Sequence, residues 1–266
     1  MRNGKWEISI GVFLFIGVIL CLGALVNGDM QKQASEPMPG LGKTFFYTAK
    51  KFGVPVLRAS IKIDHESLEQ GRPIYHIQAE VNSLGYAGFL FRMNNRFTST
   101  VEAETCSPIC YVKEINQEGL LIEKKNYLQV LTFDHHNKKM VIERTGMKEK
   151  QEIPLHPGTY DPLSMFARCY LKEELRPGED IRMAIYDGVR LRQMVFHSKK
   201  EKMKRKGYGE VEVVCLESAT PFTTFGDKEG IIRIWYTADG KKIPISLELV
   251  LSIGSIKFEL EEVKET

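Results

Sequence analysis

The 266-residue chain is long enough for one large domain or two small ones, and its 43% apolar content is that of a folded protein. With 37 Lys and Arg against 34 Asp and Glu, the net charge of +3 gives no general reason to expect nucleic acid as a partner. Five cysteines with no histidine beside them at ligand spacing argue against a metal framework.

In chain order, Arg2 and Lys5 precede an unbroken apolar run, Ile8 to Val26, followed by Asn27-Gly28 and then polar sequence. A basic start, an apolar stretch and small residues after it describe a secretory signal or an uncleaved anchor. Nineteen helical residues rise about 28 Å, near the ~30 Å of a bilayer core, which suits a retained anchor. Val26 and Gly28 stand where a signal peptidase accepts small side chains, which suits cleavage. Lipid attachment at Cys21 is disfavoured because Leu20 before it is bulky. Either way the remainder is expected outside the cytoplasm, in the periplasm, exported or held at the inner membrane. Residues 29–43, with Pro37, Pro39, Gly40 and Gly42, read as a linker, and 44–262 as one exported domain.

Past the linker, Leu57, Ala59, Ile61 and Ile63 share one face, as do Tyr75, Ile77, Ala79 and Val81. Near the end, Ile245, Leu247, Leu249 and Leu251 alternate with other residues. Period-2 patterning predicts strands with one face on a core. Asp134–Lys139 is a predicted hairpin tip. Asp161 caps a predicted helix with Pro162 in its first turn and Leu163, Phe166, Tyr170 and Leu171 at helical spacing, running to Leu175 before Pro177-Gly178. Asp187-Gly188 joins Ile181–Tyr186 to Val189–Phe196, and Asp239-Gly240 joins Ile231–Thr237 to Lys242–Leu251. Such pairs predict tight hairpins, both central residues taking positive φ. Gly254 starts a last turn before Ile256–Leu260. The expected fold is mainly β: a single antiparallel meander of about a dozen strands, curved into a barrel or half-barrel with one α-helix.

Cys106 and Cys110 flank the turn Ser107-Pro108-Ile109. In an oxidising compartment a local Cys106–Cys110 bridge is expected, while Cys169 and Cys215 read as buried small apolar residues. The run Lys199, Lys200, Lys202, Lys204, Arg205 and Lys206 is expected at a hairpin tip, either solvated or touching anionic lipid headgroups. Phe89, Phe91, Phe97, Phe222, Phe225, Trp235 and Phe258 fall on or beside strands. With Phe166 of the helix they either form a core or line a pocket for an acyl chain; Phe89, Phe91, Phe97, Phe166 and Trp235 are the candidates for ligand contact.

No catalytic motif stands in the chain. His135-His136 point apart on a strand and do not make a metal site. Asp161 beside His156 is accounted for by the helix cap, and neither a Gly-x-Ser-x-Gly elbow, a phosphate-binding glycine loop nor a His-Glu-x-x-His pair is present. No metal and no cofactor are expected. Three roles remain: binding a lipid or scaffolding envelope components, a module that binds an envelope protein through a strand edge or the basic hairpin, and a carbohydrate- or peptidoglycan-acting enzyme. The last requires two carboxylates converging about 5–9.5 Å apart.

The segments Phe52–Val56 (FGVPV), Phe91–Ser99 (FRMNNRFTS), Tyr160–Gly178 (YDPLSMFARCYLKEELRPG), Asp187–Phe196 (DGVRLRQMVF) and Tyr236–Leu247 (YTADGKKIPISL) resemble, in this order, a family of bacterial exported proteins catalogued as domain of unknown function 3108. The resemblance spans about Phe45 to Leu260. It departs at Ala238, where the family tends to show a second acidic residue beside the turn aspartate, and Cys106, Cys110 and the Lys199–Lys206 tip look local to this chain. It implies an exported, antiparallel β-rich fold and supplies no activity; the matched residues look architectural.

Overall fold

The computed structural model describes residues 40–51, 53–69, 71–88, 90–120, 124–205, 209–222, 228–251 and 254–265. The leader, Phe89, Lys206 and Phe225 lie outside them, as do the side chains of Arg205 and Phe222. β1 (Lys43–Lys51) and β2 (Val54–Ile63) form the first hairpin, and β3 (Ser67–Glu69) is a flap on β4 (Arg72–Ser83). The meander continues through β5 (Phe91–Glu102), β6 (Pro108–Gly119), β7 (Lys125–Asp134), β8 (Lys139–Arg144) and β9 (Gln151–Pro154). β10 (Thr159–Tyr160) leads into α1 (Pro162–Leu171). Six strands complete the chain: β11 (Asp180–Tyr186), β12 (Leu191–Arg205), β13 (Gly209–Phe222), β14 (Lys228–Thr237), β15 (Pro244–Leu251) and β16 (Gly254–Glu265).

All sixteen strands belong to one sheet, ordered from β10 through β16, then β1, β2 and β4 to β9. The first strand therefore pairs with the last, in the middle of the sheet. The ladder does not close: β10 and β9 are its two edges, although only Leu155–Gly158 separates them in the chain. Every pair is antiparallel except β10 with β11. The alternating residues of β2, β4 and β5 behave as their period demands, with Ile61, Ile77, Ala79, Phe97 and Val101 buried. β11 does not alternate, because Met183, Ala184, Ile185 and Tyr186 are all buried. Both of its faces are covered, so this end of the sheet lies inside the curl and the other end wraps round it.

The helix lies in the same interior and touches β4, β5, β10 and β11. Eight of its ten residues are buried, so it presents no water-facing side. Phe166 stacks on Tyr170, which meets Phe45 of β1 edge-on. The helix is shorter than its sequence pattern suggests. It stops at Leu171 because the Glu173 amide reaches back to the Arg168 carbonyl, which the Lys172 amide also uses; Leu175 enters the core beyond the helix.

Alternating strand direction sorts the turns onto two rims. One rim carries the turns after β1, β4, β6, β8, β11, β13 and β15. The other carries those after β2, β5, β7, β12 and β14, with both ends of the segment around α1.

Candidate functional site

The inner face of β5 to β7 is polar where an all-apolar core would be simplest. Asn95, Lys113, Gln117 and Gln129 are buried there, in line with Phe97, Tyr111, Ile115 and Leu131. Lys113 and Gln129 are direct cross-strand partners. They point at the β11–β12 turn: Lys113 Nζ donates to the Asp187 carbonyl and Gln129 Nε2 to the Gly188 carbonyl, both at 2.9 Å. Asn95 Nδ2 donates to Gln117 Oε1 at 3.3 Å, while its Oδ1 accepts from the Asn116 amide at 2.9 Å. Burial lowers the Lys113 ammonium to about 8, against the pull of nearby Asp187.

The turn they hold is built by its aspartate. Asp187 Oδ1 accepts from the Val189 and Arg190 amides at 2.7 and 2.9 Å, and Oδ2 accepts from Arg192 Nε at 3.2 Å. Only Gly188 takes a positive φ, 89°, and a Cβ there would stand 2.9 Å from both Gln129 Oε1 and Lys113 Nζ. The second Asp-Gly pair departs further from the expected two-residue turn. β14 and β15 are joined by residues 238–243, and Lys242, not Gly240, takes the left-handed backbone with φ 47°. Thr237 closes that wider loop, its amide donating to the Ile243 carbonyl and its hydroxyl accepting from the Ile243 amide.

Asp161 is the second buried carboxylate. Its Oδ1 accepts from the Leu163 and Ser164 amides at 2.8 and 3.0 Å, and the Ser164 hydroxyl accepts from the Asp161 amide, a complete capping box. Oδ2 accepts from Ser99 Oγ of β5 at 2.6 Å. Burial raises this carboxyl to about 6 although each of those bonds favours the charged form. Further in, the hydroxyls of Tyr170 and Tyr236 are buried with no hydrogen-bond partner among the described residues.

The residues singled out in the sequence are scattered. Phe97 and Phe166 have no exposed surface and Phe91 is half-buried; they are core side chains, and nothing brings them together as an open pocket lining. Trp235 is buried too, its indole donating to Glu201 Oε2 at 2.8 Å under the Lys257 ammonium. The basic run is a correction in shape. The run leads into the expected β12–β13 hairpin, but β12 carries it as far as Arg205, so Lys199, Lys200, Lys202 and Lys204 stand on the strand and not at the tip. Lys199 pairs with Glu217, Lys200 with Glu212 and Lys202 with Glu210, so acids of the facing strand offset half the run. Lys204 stands opposite Glu210 in the register.

The expected Cys106–Cys110 bridge is also corrected: no disulfide links Cys106, Cys110, Cys169 and Cys215. Cys106 has left-handed backbone, φ 56°, and is fully buried beside the end of α1, where burial pushes its thiol up to about 11. Cys110 stands next to inward-facing Tyr111 on β6, so its Sγ leaves the opposite face of the sheet. Cys169 and Cys215 are buried, as small apolar residues would be. Among the described residues no group of three His, Cys, Asp or Glu gathers to hold a metal. His135 is tied to the Pro108 carbonyl at 2.7 Å.

The model of the family described as "Protein of unknown function (DUF3108)" matches residues 45–261. The chain belongs to this family. In fold it is similar to a solved structure, a beta-barrel-like protein of the domain of unknown function DUF1849 from Brucella abortus, with a TM-score of 0.57 and 11% identity. That likeness covers 85% of this chain and 98% of the other. No match was found among curated proteins. This DUF3108 domain thus has a barrel-like body whose sheet stays open as a ladder and is held by side chains across its interior.

Proposed function

We propose that this DUF3108 protein is a non-catalytic scaffold of the cell envelope, carried across the inner membrane by its leader, whose rims meet other envelope components. The observation behind this reading is what the buried charges are doing. Both oxygens of Asp161 and both of Asp187 are engaged by the protein's own amides, Ser99 and Arg192, and Lys113 is spent on the Asp187 carbonyl. A general acid, base or nucleophile needs an approachable partner. These groups instead join the two ends of the sheet and the helix.

A second reading, an apolar-ligand carrier, is favoured by one observation, the unpartnered hydroxyls of Tyr170 and Tyr236 in the interior. They would take the polar group of an occupant. Native mass spectrometry of the protein taken from membranes separates the two. The scaffold predicts the mass of the bare mature chain. A stoichiometric adduct of lipid mass, lost on Tyr236→Phe, would replace it with the carrier.

A further inference from the structure

Among the described residues, five turns of one rim carry exposed apolar side chains, and those of the opposite rim, with the exception of Leu68, do not. Val54 follows the β1–β2 turn, Tyr86 and Leu90 stand in the β4–β5 turn, and Leu120 begins the β6–β7 turn. Met147 lies in the β8–β9 turn and Val189 in the β11–β12 turn, all six being between 40% and 76% exposed. The first two turns are fixed relative to one another: the Tyr86 hydroxyl donates to the Pro55 carbonyl, and the Leu84 amide to that of Val56 at 3.1 Å. The opposite rim is made of polar turns, with Asp64, Glu66 and Glu69 before β4, Glu104 before β6 and His135–Lys138 before β8, and it also carries the basic end of β12 and Lys241-Lys242.

We infer that the apolar rim seats the domain on the surface of a lipid bilayer containing anionic headgroups. Three features point to a bilayer rather than another protein. The apolar side chains are tips spread round one rim, which a plane can touch together, and not a contiguous patch. Cations flank them: Lys50, Arg92, Lys124, Lys148 and Lys150, the arrangement of interfacial segments that place hydrophobes among acyl chains and cations among phosphates. Their ion pairs, with Glu259 for Lys50, Glu118 for Arg92 and Lys124, and Glu143 for Lys150, are exposed and easily exchanged for phosphate. Third, thirteen residues lie between Val26 and Gly40, up to about 45 Å of chain, whereas nine-residue β1 spans about 30 Å from rim to rim. A leader held in the membrane therefore leaves enough tether for this rim to reach the same bilayer.

The inference rests on the exported reading but not on the scaffold one. Its test uses the full chain with Trp6→Phe, reconstituted in vesicles of phosphatidylcholine and phosphatidylglycerol with brominated acyl chains. Tyr86→Trp and Leu120→Trp place a reporter at two tips, His136→Trp places one on the opposite rim, and buried Trp235 reports that the fold is intact. Emission at 86 and 120 is expected to shift blue and fall about twofold on bromination, and at 136 to stay unchanged. The quenching at the tips should weaken when phosphatidylglycerol is omitted. Equal quenching at both rims, or none at either tip, overturns the proposal, as does a covalent dimer formed through Leu120→Cys with unquenched tips, which would assign the rim to a second copy. Failure of the scaffold reading shows separately, as a bound mass in native mass spectrometry.

Discussion

The interior of the curl holds a lysine, two aspartates and three carboxamides, while the rim beside it holds six large hydrophobic side chains in water. Each region inverts the usual partition, and the β11–β12 turn belongs to both, with Asp187 buried and Val189, two residues on, largely exposed. The two inversions differ in how they are compensated. In the interior the lysine, both aspartates and the three carboxamides have partners, so their desolvation is offset by bonds that tie distant parts of the sheet together. At the rim the side chains stay 40–76% exposed with little intramolecular cover, so the apolar tips add little to folding. The interior is thus expected to govern stability and the rim association, and substitutions should separate the two.

The largest effect is expected at the seam. Lys113→Ala removes the donor to the Asp187 carbonyl and leaves a gap on the inner face of β6, a loss of about 2–4 kcal/mol in denaturant unfolding. Gln129→Ala is expected to cost somewhat less, since a neutral donor is lost. Hydrogen exchange should quicken first across residues 183–188, whose burial depends on this turn. If those amides remain as protected as in the parent, the curl is held by something else.

The second test is pH, because the two buried charges titrate in opposite senses. Asp161 binds its proton more tightly folded, at about 6, than unfolded, near 3.8. Between those values the folded chain holds the extra proton, so this group adds stability as pH falls. Lys113 binds its proton less tightly folded, at about 8, than unfolded, near 10.5, so it adds stability as pH rises through that window. Other carboxylates overlay the acid limb, so the informative quantity is a difference between variants. Asp161→Asn keeps an acceptor for the Leu163 and Ser164 amides while removing the charge. Its stability relative to the parent is expected to rise by 1–2 kcal/mol, on an order-of-magnitude basis, from pH 4 to pH 7. Asp161→Ala loses the cap as well and is expected to be about 1–2 kcal/mol less stable than the asparagine variant throughout.

How much of this contrast could be read from sequence follows from which residues obey a period. β2, β4 and the capped helix were legible because their buried residues are apolar and regularly spaced, and the Asp187 turn because its chemistry is local. The seam was not. On β7, Leu128 faces water and Gln129 the core, the reverse of what alternation suggests, and on β6 Lys113 sits inward between Tyr111 and Ile115. Only the curl, which brings the β11 end over these strands, gives those groups partners, and no local pattern encodes it. The available hint was Lys113 in phase with two apolar neighbours. Asp161 was identified as a cap, while its bond to Ser99, sixty-two residues away, is a product of the same curl. The basic run was placed at its hairpin, but its extent as strand was hidden, because the acids that offset it arrive on the facing strand.

The smallest expected change in stability carries the sharpest information about the rim. Leu120 is the most exposed large hydrophobic side chain among the described residues, and the Leu120→Gln substitution leaves the β6–β7 ladder untouched. Denaturant midpoints should therefore stay within about 0.5 kcal/mol of the parent, as for other surface substitutions. A loss of several times that would mean that Leu120 is covered in the folded chain and that the rim belongs, with the seam, to the core. If the midpoint holds, any loss of vesicle association in the same variant is a property of the surface alone. The two inversions would then be separate devices, a buried polar set that closes an open ladder and an apolar edge left for a partner outside the chain.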